Sequence, residues 1–239
     1  MKKSVLPDRL ALIAEQIDPG AVVADIGTDH GLVPVEAVAH RKAERAVAAD
    51  VNAGPLQAAS DYIASCGLTD KIDIRLGSGL AVLTKKDAVD TVVIAGMGGT
   101  LIADILEQGK IKLHFVQKLV LQPNVSAVRV RKWLLDNGWK LTGERILKEE
   151  RHVYEVLTAV PGEAEAPYQE CGEPLEKQLL FGPYLLEERN NAFKEKWMRE
   201  KDNWQQILHQ LTNAVPTEKI TAKKQELSQY IAWVEEVIA

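Results

Sequence analysis

The chain has 239 residues, enough to bury a full core, and its hydrophobic fraction of 46% places it among globular rather than disordered proteins. A formal net charge of −5 announces no global basic field for nucleic acid, although a local basic patch would be hidden in that sum. No signal peptide is visible, nor any apolar run of about 18 residues that could span a bilayer, so the expectation is a soluble, cytoplasmic protein with no membrane partner.

In chain order, Leu6, Leu10, Ile13, Ala14 and Ile17 recur at helical spacing over residues 4–18, and Pro19-Gly20 ends that helix. Arg9 falls off the apolar stripe, where it either leans over a ligand cleft or is simply solvated. Then comes the stretch on which the reading turns: Val22-Val23-Ala24-Asp25, a strand ending in a carboxylate, followed by Ile26-Gly27-Thr28-Asp29-His30-Gly31 and a helix to about His40. Strand, glycine turn and helix in that order open a nucleotide-binding α/β domain. The dinucleotide version needs a glycine in mid-turn so that a pyrophosphate can approach the backbone, and here Asp29 and His30 occupy that region. A fixed carboxylate repels a diphosphate and attracts an ammonium group. S-adenosylmethionine has an adenosine, an ammonium and a sulfonium but no phosphate, and it suits this turn better than NAD.

A second strand, residues 46–50, also ends in an acid. Asp50, with Val51 and Asn52 beside it, arrives where such folds hold ribose hydroxyls, while helix capping by Asp50 or Asn52 is the competing explanation. A third strand over 72–76 leads into Gly77-Ser78-Gly79-Leu80, small residues that would let backbone approach an adenine with Leu80 against one face; an ordinary turn accounts for the same glycines. The run 91–95 reads as a central parallel strand and empties into Gly96-Met97-Gly98-Gly99 after Ala95, glycines best explained by close approach to a ligand. Thr100 is expected to cap the next helix, with Leu101, Ile102, Ile105 and Leu106 on its buried side. A fifth strand, 118–121, delivers Gln122-Pro123-Asn124, either a device that reads a base or a proline turn with Asn124 or Ser126 as cap.

The next helix carries Arg129, Arg131 and Lys132, and between 126 and 152 Lys and Arg outnumber Asp and Glu in an otherwise acidic chain. That basic charge is what a phosphate backbone would need, with a solvated helix face as the alternative. Residues 139–147 and 153–159 read as an antiparallel pair closing one side of the sheet. The stretch 161–182, rich in Pro, Gly and Glu at its start, is expected to link a catalytic domain, 1–160, to a helical hairpin, 183–239. In that hairpin Leu186, Phe193, Trp197, Trp204, Leu208 and Leu211 form one apolar seam and Ile220, Leu227, Ile231, Val234 and Ile238 a second, broken at Pro216. Lys194, Lys196 and Arg199 on its first helix extend the basic path, with glutamates interleaved. Cys66 and Cys171 match no metal or redox spacing and are expected to be reduced, and the histidines lack ligand spacing, so no metal is expected. No obligate protein partner is evident.

Taken together and in order, Asp25-Ile26-Gly27-Thr28-Asp29-His30-Gly31, Ile94-Ala95-Gly96-Met97-Gly98-Gly99, Leu121-Gln122-Pro123-Asn124 and the helical tail resemble the TrmK-type bacterial tRNA adenine-N1 methyltransferases, which modify the adenine at position 22. The resemblance covers nearly the whole chain. It implies a Rossmann-like class I methyltransferase domain with helices on both faces of its sheet, and a coiled-coil-like extension that helps hold tRNA. Carried over by motif, it implies a cofactor pocket at Asp25 to Gly31, Asp50, Gly77 to Leu80 and Ala95 to Gly99, with Gln122 and Asn124 facing the target base. Adenine N1 already has a lone pair, so in-line attack on the sulfonium methyl needs no general base. Asp29 is the expected source of negative charge for the ring, or else a holder of the cofactor ammonium, and His30 a stacking or hydrogen-bonding wall. Methylation of a small molecule or protein, and a scaffold without enzymatic activity, are the rival readings.

Overall fold

A computed structural model describes residues 6–169, 171–212 and 217–238. Residues 4 and 5 of the first expected helix and the expected break at Pro216 lie outside the described residues. Seven strands form one sheet: β1 (Ala21–Ile26), β2 (Ala43–Asp50), β3 (Ile72–Leu76), β4 (Thr91–Gly98), β5 (Lys118–Val125), β6 (Trp139–Glu149) and β7 (His152–Pro161), in the order β3-β2-β1-β4-β5-β7-β6. The first five are parallel; β7 runs antiparallel between β5 and β6.

Alternation along the central strands builds two cores. Ala24 and Ile26 of β1, Val92 and Ile94 of β4, and Leu119 and Leu121 of β5 turn to one face, under α4 (Gly99–Gln108) and α5 (Ala127–Asp136). Val23, Val93 and Val120 turn to the other, under α1 (Asp8–Glu15), α2 (Leu32–Ala39) and α3 (Ala53–Ser65). Strands covered on both faces must be apolar throughout, which is why these runs showed no polar alternation. Leu101, expected on the buried side of α4, is 51% exposed. The helix begins at Gly99, so Thr100 lies inside it and no side chain caps its start. Gly99 is required there by space, because a Cβ would strike the backbone carbonyl of Ser126.

The expected link, 161–182, contains two short helices, α6 (Ala166–Gln169) and α7 (Leu175–Phe181), followed by α8 (Pro183–Glu188). Phe181 and Leu180 enter a third core with Ile146 of β6, Phe193, Trp197, Val234 and Val237. Of the last two helices, α9 (Asn191–Thr212) therefore packs back onto the strand pair and α10 (Glu218–Ile238) packs along α9. Rings of Trp197, Trp204, Tyr230 and Trp233 succeed one another between them at centroid distances of 5.3 to 6.1 Å. Lys177, almost wholly buried, joins Glu173 at 2.9 Å and Glu236 of α10 at 2.8 Å.

Arg131 corrects the basic reading of α5. Its side chain is fully buried, with Nε donating to Glu144 Oε1 and Nη2 to Glu155 Oε2, both at 2.6 Å, and Nη1 donating to the carbonyl of Leu180 at 3.1 Å. On α5, Val130, Arg131 and Leu134 all turn inward, and the charge goes in with them. Lys196, also expected on the basic path, donates to Glu155 and lies 4.8 Å over the Trp197 ring. Burial alone would raise both carboxyls; Lys196 and Arg131 outweigh it at Glu155, which falls below its ordinary value, while burial prevails at Glu144. Arg129 and Lys132 of the same helix are exposed.

Removing the Arg131 cation leaves Glu144 buried without a counter-charge and Glu155 with Lys196 alone. Arg131→Met is therefore expected to lower unfolding free energy by about 3–5 kcal/mol in urea titration, whereas Arg129→Ala should change it by less than about 0.5 kcal/mol.

Candidate active site

The carboxyl ends of β1, β2 and β4 meet at a cleft of about 360 Å³, lined by Asp25, Gly27, Thr28, Asp29, Asp50, Ala95, Gly96 and Met97, with Arg9, Asn124 and Tyr154 on the side toward β7. Open α/β sheets place their ligand sites at this edge. Gly27 has a φ of 78°, a conformation that favours glycine, and a Cβ there would push the Met97 methyl aside. Gly27 and Thr28 donate their backbone N–H groups to the Ala49 carbonyl at 2.8 and 2.9 Å, which ties the turn to β2.

Asp25 is fully buried, and its carboxyl is pushed up to about 6. Burial is the main cause, and the charges of Asp29 and Asp50 add to it. Asp50 accepts from the backbone N–H of Asn52 at 2.6 Å through one carboxylate oxygen. Asn52 precedes α3 without capping it through its side chain. Three acids and one guanidinium thus share the cleft, a donor set matched to a zwitterionic amino acid with adjacent hydroxyls and unsuited to a diphosphate.

Gln122, expected to meet a base, is fully buried. Its Oε1 accepts from Arg9 Nη1 at 2.7 Å and from Gly96 N at 3.0 Å, and its Nε2 donates to Asn124 Oδ1 at 3.0 Å. Both ends of the amide are committed within the protein, so it orients neighbours rather than a substrate. Asn124 is exposed; its Nδ2 donates to the Gly96 carbonyl at 2.8 Å, leaving one proton and one lone pair of its amide to offer. Both residues lie within β5, past the point where β7 pairs, which is how Pro123 is tolerated in a strand.

Other expected residues fall elsewhere. Leu80 is 1% exposed and packs in the core under Gly109, so its side chain cannot cover an adenine, and Ser78 and Gly79 line a different hollow with Ile105 and Ile111. Ile26 is core, Val51 is 65% exposed, and His30 points to solvent 3.3 Å from Asp29. Tyr154 and Glu149 were missed, for β7 and β6 carry no motif and reach this edge only because the pair is antiparallel. A wider hollow of about 740 Å³, lined by Cys171, Tyr184, Glu187 and Arg189, lies away from the strand ends. Among the described residues no group of three or more His, Cys, Asp or Glu could hold a metal ion, and no helix is long and apolar enough to cross a membrane.

This strand order, with its carboxylate-lined cleft at the parallel strand ends, defines a class I, Rossmann-like methyltransferase. A family model described as tRNA (adenine(22)-N(1))-methyltransferase matches residues 23–236, and the chain belongs to that family. It is 42% identical over 238 residues, 100% of this chain and 99% of the relative, to the tRNA (adenine(22)-N(1))-methyltransferase of Bacillus subtilis (strain 168). The crystal structure of the B. subtilis M1A22 tRNA methyltransferase TrmK superposes with a TM-score of 0.91 over 98% of this chain and 99% of that one, at 42% identity. Streptococcus pneumoniae Sp1610, described as a putative tRNA (m1A22) methyltransferase and solved in complex with S-adenosyl-L-methionine, superposes with a TM-score of 0.84 at 34% identity over 97% and 99% of the two chains.

A carboxyl raised by burial stabilises the fold fully below its unfolded value of 3.8, and that contribution is lost as pH rises through about 6. Two units correspond to about 3 kcal/mol. Asp25→Asn is therefore expected to make the ligand-free protein more stable than wild type at pH 7.5 by about 2–3 kcal/mol, the gain vanishing toward pH 4. Urea titrations across that pH range check both the sign and the window.

Proposed function

We propose that this chain methylates N1 of the adenine at position 22 of tRNA with S-adenosylmethionine, the activity named for its family, by direct in-line transfer. The observation that carries the cofactor reading is the cleft's charge pattern: Asp25, Asp29 and Asp50 line one cleft together with Arg9. Asp25 and Asp29 would take the ammonium, Arg9 the carboxylate and the open oxygen of Asp50 the ribose hydroxyls. When bound, the cofactor supplies a methyl group activated by a sulfonium. The adenine enters with its N1 lone pair free, so the protein's work is to expose the base, align it and balance the charge that develops on its ring.

Asn124 is the residue for the adenine edge, held in place by Gln122 and the Gly96 carbonyl. Asp29, exposed at the cleft, supplies negative charge near the ring. Arg129, Lys132, Lys194 and Arg199 would meet phosphates, on the exposed sides of α5 and α9. Arg131 is withdrawn from that set, and Lys196 serves Glu155 instead.

Labelled methyl transfer to an unmodified tRNA transcript, with the product nucleotide mapped, tests the reading; transfer to small acceptors instead would overturn it. Asn124→Ala is expected to slow single-turnover transfer at saturating cofactor by on the order of 10- to 100-fold. Asp29→Ala should slow the same step, and an unchanged rate would confine Asp29 to holding the cofactor.

A further inference from the structure

Arg9 has a long, flexible side chain, and a guanidinium left to itself in a cleft also lined by three carboxylates would sample many positions. Here it is held on several sides. Its Nη1 donates to Gln122 Oε1 at 2.7 Å, its backbone N donates to Glu149 Oε1 at 3.1 Å, and its guanidinium carbon lies 5.2 Å from the centroid of the Tyr154 ring. Tyr154 shares the face of β7 that Val156 turns toward α1, while Glu155 between them turns into the buried network of Arg131.

The ring has neighbours of its own. His152 stacks on it at 6.0 Å with 29° between the planes. The tip of the β6–β7 pair is tied to α9 from outside: Lys148 to Glu195 at 2.8 Å, Arg199 Nη1 to the Arg151 carbonyl at 2.7 Å, and Lys196 to Glu155. A fixed aromatic face under a guanidinium restricts that cation to a plane and favours it electrostatically.

We propose that Tyr154 is a positioning residue for the methyl donor: its ring, stacked on Arg9, preorganises the guanidinium to receive the carboxylate of the donor's amino acid end. Tyr154 acts through Arg9 and leaves the methyl transfer itself alone. This rests on the reading of the cleft as the donor site, and it adds to that reading a residue on an element outside the nucleotide-binding motifs.

Calorimetric titration of the full chain with S-adenosylmethionine and its demethylated product, joined to steady-state kinetics on a tRNA transcript, tests it. Tyr154→Leu is expected to weaken donor binding about tenfold, raise the donor KM to match and leave kcat within about twofold. Tyr154→Phe, which keeps the ring, should recover the affinity lost in the leucine variant. Arg9→Met with Tyr154→Leu should bind no more weakly than Arg9→Met alone, since the ring works only through that cation. Additive losses, an unchanged donor Kd, or a rise confined to the tRNA KM would overturn the proposal, the last placing the ring against the substrate instead. Should the leucine variant fail to fold in thermal melts, Tyr154→Met, which also lacks the aromatic face, carries the same expectations. A wild-type chain that binds no donor would instead bring down the reading of the cleft itself, and with it this role for Tyr154.

Discussion

Asp25 is buried at a cleft that it shares with the exposed Asp29 and with Asp50, and such a concentration of like charge beside a buried carboxyl is costly until a cation arrives to relieve it. Much of the molecule's architecture supplies or tolerates that concentration. The parallel strands end together because their registers align Asp25 with Ala48 and Val93. The turn after β1 stays tight because Gly27 accepts a left-handed conformation beneath Met97. A cleft so charged discriminates by ligand chemistry: it favours an ammonium or a sulfonium and rejects phosphate, which separates it from dinucleotide sites on related sheets.

A second concentration of charge, on the opposite face of the sheet, has a structural role. Arg131 satisfies Glu144 and Glu155 in a fully buried setting, and the carbonyls of Leu179 and Leu180 complete its hydrogen bonds. Those carbonyls belong to α7 and Lys196 to α9, so the network binds the C-terminal helices to the strand pair that borders the cleft. Tyr154 and Glu155, neighbours on one strand, thereby join the two charge clusters through the thickness of the sheet. In such a pair of neighbours the strand's two-residue period decides which cluster each serves.

In several places the local pattern left a side chain's surroundings open and the fold supplied them. Arg131 sits between Val130 and Lys132, and helical spacing alone gave no ground for sending it inward rather than Arg129. Gln122 and Asn124, two amides around a stiff proline, suggested a base-reading device or a proline turn, yet burial and three internal hydrogen bonds engage both ends of the Gln122 amide. Leu80 follows a glycine turn as a ligand wall would, but Gly109 opens a space beneath it and the side chain fills the core. The polar stretch 161–182 lacked periodicity because its helices are short and bury Lys177 and Gln178 along with Leu180 and Phe181.

By itself the sequence determined the α/β class, the five parallel strand ends, the paired strands after them, the apolar seams of the final helices and the carboxylates that line the cleft. These depend on local patterns: apolar runs, turn glycines and acids at strand termini, which act over a few residues of chain. Only the tertiary structure decided which charges meet, placing Arg9 on Gln122 and Tyr154 at the cleft and Arg131 between two glutamates. Those partners lie 13 to 145 residues apart in the chain, and the free energy of a charge is set by its surroundings in space, which no local pattern records.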